Sequence, residues 1–160
     1  LLRPTSGWHI VDRVDVADLA SERAHAWNGS LGVRTLAEPT PTWSFVVREV
    51  TETGLVIDGG RTLRGGHEAF TITRDATKPA KLVLRTGGPA IAGQPPITKA
   101  VTLKVTADGV DAGDIVVPVP SGRMVEVAID LPPSRAATTR ITVRANEPFR
   151  SLHWFVLQSR

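Results

Sequence analysis

Cysteine and tyrosine are both absent from this 160-residue sequence, and its aromatic residues are four tryptophans and four phenylalanines. Without cysteine, neither disulfide bonds nor thiolate metal ligands can stabilise the fold, and there is no cysteine nucleophile. A chain of this length can still build its own core, because folding at this size buries roughly 70% of the surface that the unfolded chain exposes. The sequence therefore predicts one domain, residues 1–160, held together by apolar packing.

Long apolar runs and clusters of like charge are also missing. No stretch approaches the ~20 apolar residues of a membrane-spanning helix. The net charge is +3, but the basic residues are dispersed among 16 acidic ones. Nucleic-acid surfaces usually combine a basic stripe with stacking aromatic residues, and neither is visible here. We therefore expect no nucleic-acid partner.

What the sequence does contain is a series of short segments in which apolar and polar residues alternate. Such alternation is typical of half-buried strands, and about nine or ten strands at this spacing predict a β-sandwich. The segment at 152–157 is apolar on both faces and should be central. The predicted fold class is an all-β antiparallel sandwich with at most one short helix, an irregular lead-in over residues 1–42 and a core over 43–158.

Turn residues suggest how some strands pair. The stretch 65–85 is interpreted as two antiparallel strands, 70–73 and 82–85, joined by a polar turn. Asp58-Gly59-Gly60 and Asp108-Gly109 are typical of tight hairpin turns, because they tolerate positive φ. The one helix is predicted over residues 18–27, with Asp18 as its N-cap.

The second half of the sequence resembles the galactose-binding-like jelly roll found in many carbohydrate-binding modules. The resemblance covers roughly residues 65–158 and is carried by Phe70, the Leu-Val-Leu-Arg of 82–85, Asp108-Gly109, Leu131-Pro132-Pro133 and the terminal His153-Trp154-Phe155. Similar modules are appended to extracytoplasmic cell-wall glycosyltransferases, including arabinofuranosyltransferases, of GC-rich bacteria. The resemblance implies a place in the cell envelope, a parent membrane enzyme and a cell-wall polysaccharide such as arabinan or galactan. The opening Leu1-Leu2-Arg3-Pro4 would suit that placement.

Tryptophans are the residues that could contact a sugar, since an indole stacks on the apolar face of a sugar ring while polar groups bind its hydroxyls. Trp27 is the preferred candidate, because it follows the helical segment beside His25 and Asn28. Trp43, at the start of a strand, is the second, whereas Trp154 is expected in the core. The alternative for Trp27 is that it closes one end of the sandwich.

Carboxylates near the N-terminus, Asp15, Asp18 and Glu22, could hold a structural Ca²⁺, which takes six to eight oxygen ligands. The alternative is a capped turn with solvated charges. No other cofactor is expected.

No catalytic motif is visible: the nucleophile elbow, the phosphate loop and the dinucleotide fingerprint are all missing. His67 and Glu68 are adjacent on a predicted strand and would point to opposite faces, so they could not easily share a substrate. The sequence therefore favours a non-catalytic carbohydrate-binding module. A structural domain that packs on a membrane enzyme and binds no sugar is the alternative.

Overall fold

In a computed structural model of the chain, the described residues are 6–29, 44–51, 54–94 and 96–160. One short helix, α1, spans Leu19–Ala24. The strands are β1 (Trp8–Asp15), β2 (Asn28–Gly29), β3 (Ser44–Thr51), β4 (Gly54–Leu63), β5 (His67–Thr73), β6 (Ala80–Gly87), β7 (Val101–Ala107), β8 (Val110–Val117), β9 (Met124–Leu131), β10 (Thr138–Arg144), β11 (Phe149–Ser151) and β12 (His153–Ser159). Within the described ranges, no helix is long and apolar enough to cross a membrane.

The strands form two main antiparallel sheets that face each other. One sheet has the order β1-β12-β6-β9 and the other β2-β5-β10-β7-β8, while β11-β4-β3 form a smaller third sheet. Side chains of both main sheets belong to one apolar core, in which the rings of Phe70 and Trp154 lie 5.2 Å apart. The expected all-β antiparallel sandwich is confirmed.

Strand β12 has apolar residues on both faces, and this explains its central position in the four-stranded sheet. Its side chains alternate between the main core, which takes Trp154 and Val156, and the opposite face, where Phe155 and Leu157 pack on Val83. Both faces are therefore covered, and the strand lies between β1 and β6 as its apolar sequence predicts. Strand β1 comes from the expected irregular lead-in but pairs with β12, with a register shift between Ile10 and Asp12.

Two local expectations are confirmed. Asp18 caps α1, because its Oδ1 accepts hydrogen bonds from the backbone N–H groups of Ala20 and Ser21 at 2.8 and 3.4 Å. Strands β7 and β8 form a hairpin through Asp108 and Gly109, whose φ values of 51° and 79° are those of a tight turn with two left-handed residues.

The expected pairing of strands 70–73 and 82–85 is wrong. Strand β5 pairs with β2 and β10, whereas β6 pairs with β9 and β12 in the opposite sheet. Phe70 and Leu84 instead lie in the same core between the two sheets. Alternation establishes that each segment is a strand with one apolar face, but two apolar faces can be buried by stacking as well as by lying side by side.

The expected turn at Asp58-Gly59-Gly60 is also wrong, because these residues lie within the continuous strand β4. Neither glycine has a positive φ. A Cβ on Gly60 would lie 2.8 Å from the carbonyl oxygen of Ser151 and 2.9 Å from Cγ of Leu152. Gly60 therefore permits a close approach between β4 and the Ser151–Leu152 backbone, which is the other common reason for glycine within a strand.

Candidate functional site

Trp27 is buried, contrary to its predicted role as an exposed platform for a sugar. Its side chain is 8% exposed, and its Nε1 donates a hydrogen bond to Oε1 of Glu68 at 2.6 Å. The ring lies so close to Gly29 that a Cβ there would be 2.7 Å from it, and the guanidinium of Arg61 lies 5.5 Å from the ring centre. The indole thus has no open face for stacking on a sugar, and its position fits the alternative that it closes the sandwich.

The other predicted sugar contacts do not surround an open indole either. His25 makes internal contacts, its Nδ1 lying 2.7 Å from the carbonyl oxygen of Ser21 and its Nε2 3.2 Å from Oδ1 of Asp12. Asn28 is exposed on β2, where it pairs with Ala69. Trp43 lies outside the described residues, so its role stays a prediction.

The three carboxylates predicted to bind Ca²⁺ do not converge. Asp18 is occupied as the helix cap. Glu22 receives two hydrogen bonds from Arg61, at 2.6 and 2.9 Å, and a third from the backbone N–H of Ala17. This buried ion pair leaves Glu22 without a free direction toward a cation. The alternative of a capped turn with solvated charges describes Asp18, but Glu22 is buried and paired with Arg61.

Asp15 belongs instead to a row of ionisable residues that crosses the four-stranded sheet. It pairs in register with His153, which pairs with Arg85, which pairs with Glu126. Asp58 reaches this row from β4, and its Oδ2 accepts a hydrogen bond from Nη1 of Arg85 at 2.6 Å. All five side chains therefore lie on the same side of the sheet, away from the main core.

The pKa values of Asp15 and Asp58 are shifted in opposite directions. Burial acts to raise the pKa of Asp58, but hydrogen bonds from His153 and Arg85 and their charges outweigh it, and the pKa is lowered. Burial raises the pKa of Asp15, and the nearby charges of Asp58 and Asp18 add to that effect against the attraction of His153.

Glu68 is the buried acid on the other side of the core. Its side chain is fully buried, and burial raises its pKa to about 7 despite hydrogen bonds from Trp27 and Ser151. A carboxyl group with a pKa near neutrality is typical of a catalytic acid. Glu68 has no path to a substrate, however, while His67 points to the opposite face of β5 as the sequence predicts. We therefore assign Glu68 no catalytic role.

A cavity of about 280 Å³ lies where β4 ends and β7 begins. Both polar and apolar residues line it, and they include Lys99 and Glu147, whose charged atoms are 4.0 Å apart. Among the described residues, no tryptophan lines the cavity. The lining residues are Thr62, Arg64, Pro96, Ile97, Thr98, Lys99, Val101, Glu147 and Pro148.

Sequence reasoning missed both of these groupings. The sequence predicts a turn at Asp58 and places His153 within an apolar strand, and it gives no role to Lys99. The alternation of β12 does place His153 and Phe155 on one face, which could have identified a polar position outside the main core. Nothing in the sequence order brings Thr62, Lys99 and Glu147 together, because Thr62 lies in β4 and the other two lie in separate connections.

No protein-family model matches the sequence, and no curated protein matches it. Among solved structures, the catalytic domain of a GH87 α-1,3-glucanase with bound tetrasaccharides is similar with a TM-score of 0.50 and 14% identity, over 98% of this chain and 28% of that one. An exo-β-1,3-galactanase from Phanerochaete chrysosporium, solved with β-1,3-galactotriose, gives 0.49 and 12% over 90% of this chain and 28% of that one.

A family 35 carbohydrate-binding module from Cellvibrio japonicus Abf62 gives a TM-score of 0.48 and 14% identity, over 76% of this chain and 93% of the module. The chain thus spans about a quarter of the length of the two enzymes and most of the length of the module. The similarity to the glucanase, at a TM-score of 0.50 and 14% identity, is one of fold alone and assigns no ligand.

Proposed function

We propose that this chain is a non-catalytic carbohydrate-binding module. The observation that carries the proposal is the cavity beside Thr62, Lys99 and Glu147, because the sandwich fold alone serves many functions. Its volume of about 280 Å³ is near the lower end of the range of small-ligand sites. A cavity of that size suits one or two sugar rings of a longer glycan.

The lining of the cavity suits a neutral, hydroxyl-rich ligand. Pro96, Ile97 and Pro148 offer apolar surface for the C–H face of a sugar ring, a role that tryptophan usually has. Lys99 can donate hydrogen bonds to the oxygen atoms of sugar hydroxyl groups, and Glu147 can accept hydrogen bonds from their O–H groups. Since these two charges are exposed and 4.0 Å apart, a hydroxyl group could bridge them at little cost.

The setting that we propose is the cell envelope. There the module would hold a polysaccharide of the arabinan or galactan type for a membrane-bound glycosyltransferase to which it is attached. This setting is supported by the sequence resemblance described above. The site within the module is, in our proposal, the cavity and not the buried indole of Trp27.

Glycan binding can be tested by titration calorimetry with arabinan, galactan and mannan fragments after a glycan-array screen. We expect weak one-site binding that Glu147→Gln and Lys99→Met each reduce by about tenfold, which corresponds to about 1.4 kcal/mol. Lys78→Met, which removes an exposed charge from the β5–β6 connection, is the matched control and should bind normally. Binding that both cavity variants leave unchanged, or no binding by any fragment, would contradict the proposal.

A second candidate, a domain that packs on another protein surface, is favoured by a different observation. On the outer face of β3 and β4, Val46, Val50, Leu55 and Ile57 are between 57% and 74% exposed. Val50 and Leu55 are paired directly across the two strands, and Ile57 is paired with Arg48, which lies between Val46 and Val50 on the same face. These side chains form a largely apolar strip that Arg48 interrupts. In this reading the strip, and not the cavity, would contact the parent enzyme.

Photo-crosslinking from position 50 in the full-length gene product tests this candidate. Crosslinks to another part of that polypeptide would support packing, and a reaction with solvent alone would contradict it. A probe at position 110, where Val110 is 55% exposed on β8, is the control.

A further inference from the structure

The polar row on the four-stranded sheet contains three side chains that face one another from three different strands. Asp15 lies at the end of β1, Asp58 within β4 and His153 at the start of β12. Their ligand-type atoms, two carboxylate oxygens and one imidazole nitrogen, all lie within 4.8 Å of one another. Asp58 and His153 are almost completely buried, whereas the side chain of Asp15 is 40% exposed and connects the cluster to solvent.

The spacing of these atoms is unusual for a set of direct hydrogen bonds. Nδ1 of His153 lies 3.4 Å from Oδ1 of Asp58 and 3.7 Å from Oδ1 of Asp15. Ordinary hydrogen bonds of this kind measure about 2.7–3.2 Å. Ligand atoms at 2.0–2.2 Å from a tetrahedral zinc ion lie about 3.3–3.6 Å from one another. The two distances from Nδ1 of His153 are close to this spacing, and all three ligand-type atoms lie within 4.8 Å of one another. The contact with Asp58 is also a long hydrogen bond.

The surroundings of the cluster fix its ligands in place. Arg85 holds Oδ2 of Asp58 at 2.6 Å, which leaves Oδ1 directed toward His153. Arg85 is itself held by Oε1 of Glu126, at 3.0 and 3.1 Å. The ring of His153 stacks on Phe155, with ring centres 4.5 Å apart and planes 11° apart. A carboxylate ligand whose second oxygen accepts a hydrogen bond, as that of Asp58 does, is a general feature of protein metal sites.

The charges of the cluster are matched to a divalent cation. Because Glu126 balances Arg85, the two carboxylates of Asp15 and Asp58 leave a formal excess of two negative charges. Ca²⁺ requires six to eight oxygen ligands, and this cluster supplies few oxygens and one nitrogen. Imidazole together with carboxylate suits zinc and its first-row neighbours. We propose that Asp15, Asp58 and His153 bind a divalent transition-metal ion, Zn²⁺ in preference to Ca²⁺, with solvent completing its coordination.

Titration of the chelator-treated protein with Zn²⁺ alone tests this site. We expect one Zn²⁺ per chain by calorimetry and a rise in Tm, and no comparable binding of Ca²⁺ or Mg²⁺. Asp15→Asn should weaken Zn²⁺ binding by at least about tenfold, because it removes a partly exposed ligand with little change in shape. Asp18→Asn is the matched control, since asparagine caps a helix as well as aspartate does and Asp18 is not a ligand.

A spectroscopic measurement identifies the nitrogen ligand. Co²⁺ in place of Zn²⁺ should give the visible absorption of a low-coordinate site, and His153→Asn should abolish it; circular dichroism would verify that this variant folds. If His153→Asn does not fold, the comparison of Asp15→Asn with Asp18→Asn still decides the outcome. Absence of Zn²⁺ binding, equal affinity for Ca²⁺, or Zn²⁺ binding that Asp15→Asn leaves unchanged would each overturn the proposal.

Discussion

The buried acid Glu68 makes a quantitative prediction about stability and pH. In the folded chain its pKa is about 7, raised by burial from an ordinary value of 4.5. Above pH 4.5 the unfolded chain releases this proton while the folded chain retains it, so folding becomes less favourable as the pH rises. Each unit of pKa difference is worth about 1.4 kcal/mol, so Glu68 should remove on the order of 3 kcal/mol of stability between pH 4.5 and pH 7.

Glu68→Gln isolates this effect, because glutamine keeps an oxygen acceptor for Trp27 and Ser151 but cannot ionise. We expect the free energy of unfolding of the native chain to fall relative to that of the variant by about 3 kcal/mol from pH 4.5 to pH 7.5. Urea unfolding followed by tryptophan fluorescence at several pH values measures the difference. Glu147→Gln, an exposed carboxyl group, should show no such trend. A difference between native chain and Glu68→Gln that is constant over this pH range would refute the reasoning.

Two further predictions concern packing and charge. Gly66→Ala should destabilise the fold by at least about 2 kcal/mol in urea unfolding, because φ is +63° and the new Cβ would lie 1.9 Å from the carbonyl oxygen of Ala145. Gly109→Ala, at φ +79° with open space around it, should cost only about 1 kcal/mol, and equal losses would contradict the steric argument. Arg61→Met should cost about 3–5 kcal/mol because it leaves the buried carboxylate of Glu22 unpaired. Adding Glu22→Gln should recover part of that loss, and no recovery would show that the unpaired charge is not its cause.

The sequence pattern predicts the strands well because each strand has a locally readable property. Alternation in β7, the uninterrupted apolar run in β12 and the Asp108-Gly109 turn depend on neighbours in the chain, and all are confirmed. Which strands pair with each other cannot be predicted in the same way. Phe70 and Leu84 have apolar faces that could meet within one sheet or between two, and the sequence contains no signal that decides between these arrangements.

The candidate site was harder to predict than the fold for the same reason. Trp27 looked available because helix, turn and polar neighbours surround it in sequence, but its hydrogen-bond partner Glu68 is 41 residues away. Asp58 and His153 are 95 residues apart and meet only when β4 lies over β12. The glycine pair after Asp58 suggests a turn in the sequence. In the structure, Gly60 instead allows the backbone of β4 to approach the backbone of Ser151 closely. Contacts between residues so far apart in the chain produce no periodic pattern in the sequence.

The place of β12 between β1 and β6 has a consequence for synthesis. The first and last strands of the described chain are neighbours, so the nascent polypeptide cannot complete this sheet until residues 153–159 have left the ribosome. Until then β1 and β6 present unpaired edges, which invite association with other chains. We therefore expect partly synthesised chains to depend on chaperones or on slow elongation, and folding to be slow, because the decisive contacts join distant residues.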